Sequence, residues 1–248
     1  MTEVKEIDLQ KTAEDAKKRL PVYVVIDTSW SMSDDNKIQA AREILPTIRD
    51  SCLEEPLLKA KALFSIIEMN TKSQVLMALG SISTAPEIQL NPSGLTNYQE
   101  VFELLRTTIE HDYQTLKADG VTSHRPVVFF ITDGEPQGDQ PDGRRRAFES
   151  LTDKDWRRRP NIVMFGVGSD VSEDTLKQYA AGNGGGVLVA PSTAGVADHI
   201  RAGVGAFLGS VVSSLNAATS AGDTDGFVWR PEDYEDADGI SIVDVDLD

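Results

Sequence analysis

The sequence predicts an α/β fold: a doubly wound, mostly parallel sheet with helices on both faces and one antiparallel edge strand. Three observations carry that prediction. Segments PVYVVIDTS from Pro21, PVVFFITDGEP from Pro126 and PNIVMFGVGSD from Pro160 each open on proline, continue as an apolar run and end in small or acidic residues. Near-continuous apolar runs suit parallel strands covered on both faces, and proline is tolerated at a strand's first residue. Amphipathic stretches at helical spacing lie between these runs. Finally, two further strand-like runs sit too close together for a crossover helix and must pair as a hairpin.

In chain order, the run from Pro21 is the first strand. A helix follows, because Ile38, Ala41, Leu45 and Ile48 recur every three or four residues, with Pro46 expected to bend it. KAKALFSIIEMN and KSQVLMALGSIS, joined at Asn70-Thr71-Lys72, form the hairpin and supply the antiparallel strand. Val101, Leu104, Leu105, Thr108 and Ile109 mark a second helix. After the run from Pro126, residues 143–158 read as a helix, as do 172–181 after the run from Pro160. Gly186–Ala190 is a short fourth strand. Val196, Ile200, Val204, Phe207, Val211 and Leu215 make one long final helix. The run Gly182-Asn183-Gly184-Gly185-Gly186 lacks the Lys-Ser/Thr of a phosphate loop and reads as a helix-to-strand turn.

The 248 residues divide into a charged extension (1–19), one large domain (20–217) and an acidic tail (218–248). A chain this long buries roughly 70–75% of the surface it would expose unfolded, enough for a full core. Net charge is −16, which argues against nucleic-acid and anionic-membrane binding. From Asp223 to Asp248 ten acids face one base, Arg230, so most of the tail is expected to be solvated. Its Phe227, Val228, Trp229 and alternating ISIVDVDL are the residues able to dock, on the domain or on a partner. An Asp-rich tail would also be able to enter the protein's own binding site. Cys52 stands alone and reads as a small buried hydrophobe near a helix end. With no apolar run of about 18 residues and no apolar centre at the N-terminus, a cytoplasmic location is expected.

Ligands in such sheets bind beyond the carboxyl ends of the strands, where strand order reverses. The first strand ends in Asp27, Ser29 and Ser31, and the strand from Pro126 in Asp133. The loop NPSGLTNYQEV adds Thr96 and Asn97, with Gly94 allowing close backbone approach. Two carboxylates and three hydroxyls make a hard, all-oxygen set suited to Mg²⁺ first, with Mn²⁺ or Ca²⁺ as alternatives, and not to zinc. Asp-x-Ser-x-Ser in an extended loop turns alternate side chains to one side. Neutral hydroxyls fill coordination positions without cancelling the ion's charge, leaving it able to take a carboxylate from another protein. The competing explanation, N-capping and turn formation, does not account for five residues drawn from three separated segments.

These residues resemble the metal-ion-dependent adhesion site of von Willebrand factor A domains: DTSWS, the Thr of SGLTN and the Asp of ITDGEP, in order and spacing, over roughly residues 20–215. The resemblance implies Ser29 and Ser31 as direct ligands, and Asp27, Thr96 and Asp133 as ligands directly or through water. It implies the Rossmann-like fold of that family. Within it the chain is most similar to the bacterial intracellular proteins of tellurium-resistance and stress operons, the TerY type. SGLT departs from the Gly-Gly-Thr of other branches, which bears on how closely Thr96 approaches the ion.

Around that site Trp30 reads either as a rim contact for a partner or as part of the helix packing. Asn97 and Glu135 are further candidates. Arg144, Arg145 and Arg146 should open a helix on the metal face, where cations oppose the macrodipole, and would suit an acidic or phosphorylated partner. Arg157, Arg158 and Arg159 are read as the end of the same helix, where cations suit the dipole. Ser33, Asp34 and Asp35 are read as caps for a helix starting near Asn36. His111, His124 and His199 have no ligand or triad neighbour in sequence. No GxSxG, HExxH or phosphate loop occurs, so the leading expectation is a non-enzymatic, metal-dependent protein-interaction module. The alternatives are a Mg²⁺/Mn²⁺ phosphoesterase-like enzyme and a scaffold subunit of an AAA+ chaperone or chelatase complex.

Overall fold

The computed structural model describes residues 17–168, 172–182, 185–190, 195–221, 227–230 and 240–243. From the N-terminus the chain forms β1 (Leu20–Asp27), a 3₁₀ segment (Trp30–Asn36), α1 (Lys37–Arg42), α2 (Ile44–Glu54), α3 (Pro56–Lys61), β2 (Ala62–Met69) and β3 (Gln74–Gly80). It continues with α4 (Tyr98–Ala118), β4 (Val127–Thr132), α5 (Pro141–Leu151), β5 (Asn161–Val167), α6 (Glu173–Tyr179), β6 (Gly186–Ala190), α7 (Val196–Ala221) and β7 (Ser241–Val243). The strands make one sheet in the order β3-β2-β1-β4-β5-β6-β7. The five central strands pair parallel, while β3 and β7 are antiparallel at the two edges.

The sheet is covered on both faces, which is why its strands read as unbroken apolar runs. Val22, Val24 and Ile26 of β1 join Phe129, Phe165 and Phe207 in the core under α1, α2 and α7. Tyr23 and Val25 point the other way, into a core shared with Tyr98, Phe102, Phe130, Leu151 and Tyr179 under α4, α5 and α6. Tyr98 meets Phe130 and Tyr179 edge to face at 5.2 Å. Phe129 stacks on Phe207 at 4.4 Å. Strand order reverses at β1, because β2 lies to one side of it and β4, β5 and β6 to the other. That places the functional crevice beyond the ends of β1 and β4.

Several local expectations are corrected. The first helix is broken outright at Glu43. Proline at position 46 has no N–H for the Arg42 carbonyl, so the chain restarts as α2 with Pro46 in its first turn. Ser33, Asp34 and Asp35 do not cap α1: Asp35 and Asn36 adopt left-handed backbone (φ 52° and 59°), and no side chain caps the helix. α5 stops at Leu151, because Asp153 accepts the Asp155 N–H (2.9 Å) and starts a turn. Arg157, Arg158 and Arg159 are therefore not at a helix end.

Part of the tail belongs to the fold, and its apolar residues dock on the domain, one of the two options the sequence left open. Phe227 is 1% exposed and its ring lies 6.0 Å from that of Phe207. Ser214 on α7 donates to the Val228 carbonyl (3.1 Å) and accepts its N–H (2.8 Å). Gly186 carries no side chain where the Trp229 ring packs. β7 then pairs with β6 as a second antiparallel edge, one more than the sequence reading anticipated. The acidic stretches 231–239 and 244–248, and the extension 1–16, fall outside the described residues. No helix among those described is long and apolar enough to cross a membrane.

Phe227→Ala should therefore cost about 3–5 kcal/mol in urea unfolding, the usual range for deleting a buried phenyl ring. A loss under 1 kcal/mol would show that the tail does not contribute to the core.

Candidate metal centre

The apolar register of β1 fixes Asp27 as its last residue, 0% exposed, and β4 ends one residue before Asp133, also 0% exposed. Two carboxylates are thus buried at adjacent strand ends. Asp27 accepts the Ser29 N–H (2.8 Å) through Oδ1 and the Thr132 hydroxyl (2.7 Å) through Oδ2. Burial pushes its pKa up to about 6, and the charge on Asp133 pushes the same way against the hydrogen bonds from Thr132 and Ser29. The loop after β1 brings Ser29 and Ser31 together, their hydroxyl oxygens 2.9 Å apart, and Ser31 donates to Asp133 Oδ1 (2.7 Å).

Thr96 arrives from the loop before α4. The Trp30 N–H donates to the Gly94 carbonyl (3.1 Å) and the Ser93 N–H to the Thr28 carbonyl (2.7 Å), clamping the two loops side by side. Gly94 has φ 70°, a conformation that favours glycine. Across the site, a methyl group on Gly134 would lie 3.3 Å from the Thr96 hydroxyl and 3.5 Å from that of Ser31. The bare Gly134 backbone leaves both hydroxyls clear. Asp27, Ser29, Ser31, Thr96 and Asp133 are therefore brought into one place, as the sequence predicted.

The residue that sequence reasoning missed is Lys37. The left-handed pair Asp35-Asn36 turns the chain so that Lys37, first in α1, is only 2% exposed. Its ammonium donates to Asp133 Oδ2 at 2.6 Å and lies 3.5 Å from the Ser31 carbonyl. A signal was available: a cation at a helix N-terminus opposes the macrodipole and needs another reason to be there. A further layer is formed by Thr28, which donates to Glu68 (2.9 Å) and accepts from Asn70 (3.2 Å).

The other candidates separate. Trp30 is 63% exposed at the rim, so it is not part of the helix packing. Asn97 caps α4 by accepting the Glu100 N–H (3.0 Å). Glu135 is held by the start of α6, accepting from Ser172 N–H (2.8 Å) and Thr175 hydroxyl (2.6 Å). Arg144 is bound to buried Asp139 (2.6 Å), Arg145 reaches Glu149 (2.8 Å), and Arg146 donates to the Asp142 carbonyl (3.2 Å). Arg144 is thus tied down by a buried carboxylate, while Arg145 and Arg146, in the first turns of α5 as the sequence predicted, make only surface contacts.

The donor set fits a divalent cation. Its two carboxylates and three hydroxyls are all hard oxygen donors, and the charge of Asp27, Asp133 and Lys37 together is −1. Among the described residues no three His, Cys, Asp or Glu side chains form a metal cluster, so a soft, zinc-finger-like site is not what is built here.

The model of the von Willebrand factor type A domain matches residues 22–201, and the chain belongs to that family. A search of curated proteins returns no match. Among solved structures, a von Willebrand factor type A protein from Catenulispora acidiphila superposes with a TM-score of 0.58 at 19% identity, covering 75% of this chain and 42% of that one. Proximal thread matrix protein 1 from the mussel byssus, solved with a zinc-occupied MIDAS motif, gives 0.56 at 13% identity, covering 75% and 47%. The pilus adhesin SpaC from Lactobacillus rhamnosus GG gives 0.54 at 12%, covering 76% and 30%. The chain thus spans less than half the length of these proteins, and at such identities the likeness is one of fold.

Lys37→Met should destabilise the metal-free protein by about 3–5 kcal/mol, because it leaves the buried Asp133 carboxylate without its cation. Mg²⁺ should restore most of that loss, and the variant should bind the ion at least about tenfold more tightly than wild type, one like charge having been removed. Denaturation with and without EDTA, with calorimetry, measures both. Weaker Mg²⁺ binding by the variant would contradict the arrangement.

Proposed function

We propose that this protein is a metal-dependent protein-interaction module that engages an Asp or Glu carboxylate of a partner through a divalent cation held by Asp27, Ser29, Ser31, Thr96 and Asp133. The observation that carries this reading is the pairing of a buried, hydroxyl-rich oxygen site with an exposed Trp30 at its rim. The ion would supply an electrophilic position for an incoming carboxylate. Trp30 offers the kind of aromatic anchor that dominates interface energetics. Mg²⁺ is favoured by the all-oxygen set, and the zinc in the mussel protein's motif makes zinc a necessary comparison.

A non-enzymatic role is favoured over phosphoester hydrolysis because the polar groups beside the ligands are already committed. Glu135 accepts from Ser172 and Thr175 at the start of α6, Thr28 and Thr132 hold the strand ends, and Lys37 is paired with Asp133. Each of these groups is held by hydrogen bonds that serve the fold, whereas a hydrolase positions a base toward the reacting atoms. The resemblance to TerY-type proteins extends the proposal to a bacterial, cytoplasmic stress or tellurium-resistance system, with a protein partner.

Peptides selected from a random library on the Mg²⁺-loaded protein should carry an Asp or Glu at a fixed position. They should lose binding in EDTA and on Trp30→Ala, the latter by roughly tenfold or more. Selected peptides lacking an acid, or binding equally well in EDTA, would refute the proposal. Mg²⁺- or Mn²⁺-dependent turnover of a phosphomonoester, abolished by Asp27→Ala, would favour the enzyme instead.

A further inference from the structure

Beside the metal centre two large apolar side chains face solvent. Trp30 is 63% exposed and Leu95 is 46% exposed. Both adjoin ligand positions in sequence: Trp30 stands between Ser29 and Ser31, and Leu95 directly before Thr96. They are also joined in space, because the Trp30 N–H donates to the carbonyl of Gly94 (3.1 Å), the residue before Leu95. Single exposed leucines are ordinary on a protein surface, and Leu53, exposed near the end of α2, is one. An exposed tryptophan and leucine on two hydrogen-bonded loops, beside a buried oxygen site, form a patch.

The fold does not ask for leucine at position 95. Its side chain belongs to neither hydrophobic core, and its backbone is not left-handed, unlike that of Asp35 and Asn36. A polar residue would suit the loop equally well. The backbone there is nevertheless firmly held. The Leu95 N–H donates to the Thr71 hydroxyl (2.8 Å), and the Thr96 carbonyl accepts from the N–H groups of Gln137 (2.9 Å) and Gly138 (3.0 Å). Gly138 brings no side chain to cover the leucine, although a methyl group there would lie 3.3 Å from the Leu95 Cβ. Leu95 is thus presented on an ordered backbone and left uncovered, which reduces the entropy lost when a partner packs on it.

We infer that Trp30 and Leu95 form one apolar ledge beside the ion, and that the partner presents its Asp or Glu in an extended segment with a large apolar side chain one or two residues away. This rests on the carboxylate-binding reading above and adds what must stand next to the acid. Each ledge residue is one position from a ligand. An extended chain advances ~3.3 Å per residue, so a carboxylate on the ion brings the neighbouring partner residues over the ledge. Charge points to the same partner. Asp27, Asp133 and Lys37 sum to −1, and a divalent ion makes the centre +1, which calls for the acid. The ledge carries no charge and gains from apolar burial. An apolar segment without an acid would leave the ion's open position to water.

The test is selection from a random peptide library on the full Mg²⁺-loaded chain, repeated on Leu95→Ser, with calorimetry of Mg²⁺ alone on both. Wild type should select an Asp or Glu at a fixed position with Leu, Ile, Met, Phe or Trp within two residues of it. Changing that apolar residue to Ser, or Leu95 to Ser, should each weaken binding by about tenfold, while Leu95→Met should keep it and Leu53→Ser, at an exposed leucine elsewhere, should leave it unchanged. Peptides selected on Leu95→Ser should keep the acid and lose the apolar preference. An acid with no apolar neighbour, or unchanged binding by Leu95→Ser, would overturn the ledge and leave the carboxylate reading standing. Loss of Mg²⁺ binding together with peptide binding in Leu95→Ser would also overturn it, since the leucine would then act through Thr96. Peptides without an acid, or indifferent to EDTA, would overturn both.

Discussion

Two carboxylates buried at adjacent strand ends are the constraint on which the rest of this structure turns. Asp27 and Asp133 are both fully enclosed, and charges taken out of water are costly unless paired. Most of the surrounding polar design reads as a response to that cost. Thr132 and the Ser29 backbone hold Asp27, Ser31 and Lys37 hold Asp133, and the Ser93-Gly94 loop is hydrogen-bonded into position beside them. A cation-binding site is a natural outcome of such an arrangement: oxygens already desolvated and pre-positioned need little reorganisation to accept an ion.

Lys37 gives the site its particular character. An ammonium 2.6 Å from Asp133 lowers the charge of the oxygen cluster without occupying every ligand. With Lys37 in place the site holds −1, so a bound divalent ion leaves a net positive centre facing the Trp30 rim. That polarity suits an acidic partner and disfavours a basic one, which is specificity by charge more than by area.

Much of this was legible in the sequence. The proline-led runs announced parallel strands because burial on both faces removes the alternation that an exposed sheet would show. Asp27, Ser29, Ser31, Thr96 and Asp133 could be gathered because strand ends in a doubly wound sheet converge at one place. What escaped notice depended on long-range contacts. Lys37 looks like any surface lysine until the left-handed Asp35-Asn36 turn buries it. That Phe227 is able to dock is legible in the sequence, but that it docks on the domain, with its ring against Phe207, is not. Asn97 and Glu135 lie near the ligands in sequence, but proximity does not reveal that Asn97 caps α4 or that Glu135 accepts from Ser172 and Thr175 at the start of α6. Arg157–Arg159 were assigned to a helix that the Asp153 turn ends earlier.

If the five oxygens hold a divalent ion, the ion's binding must depend on Asp27. Calorimetric titration of Mg²⁺ and Mn²⁺ into wild type and Asp27→Ala tests it most directly. One saturable site is expected in the wild type and none in the variant, with both proteins folded by circular dichroism. Wild-type protein that binds neither ion, or a variant that binds as well as wild type, would contradict it.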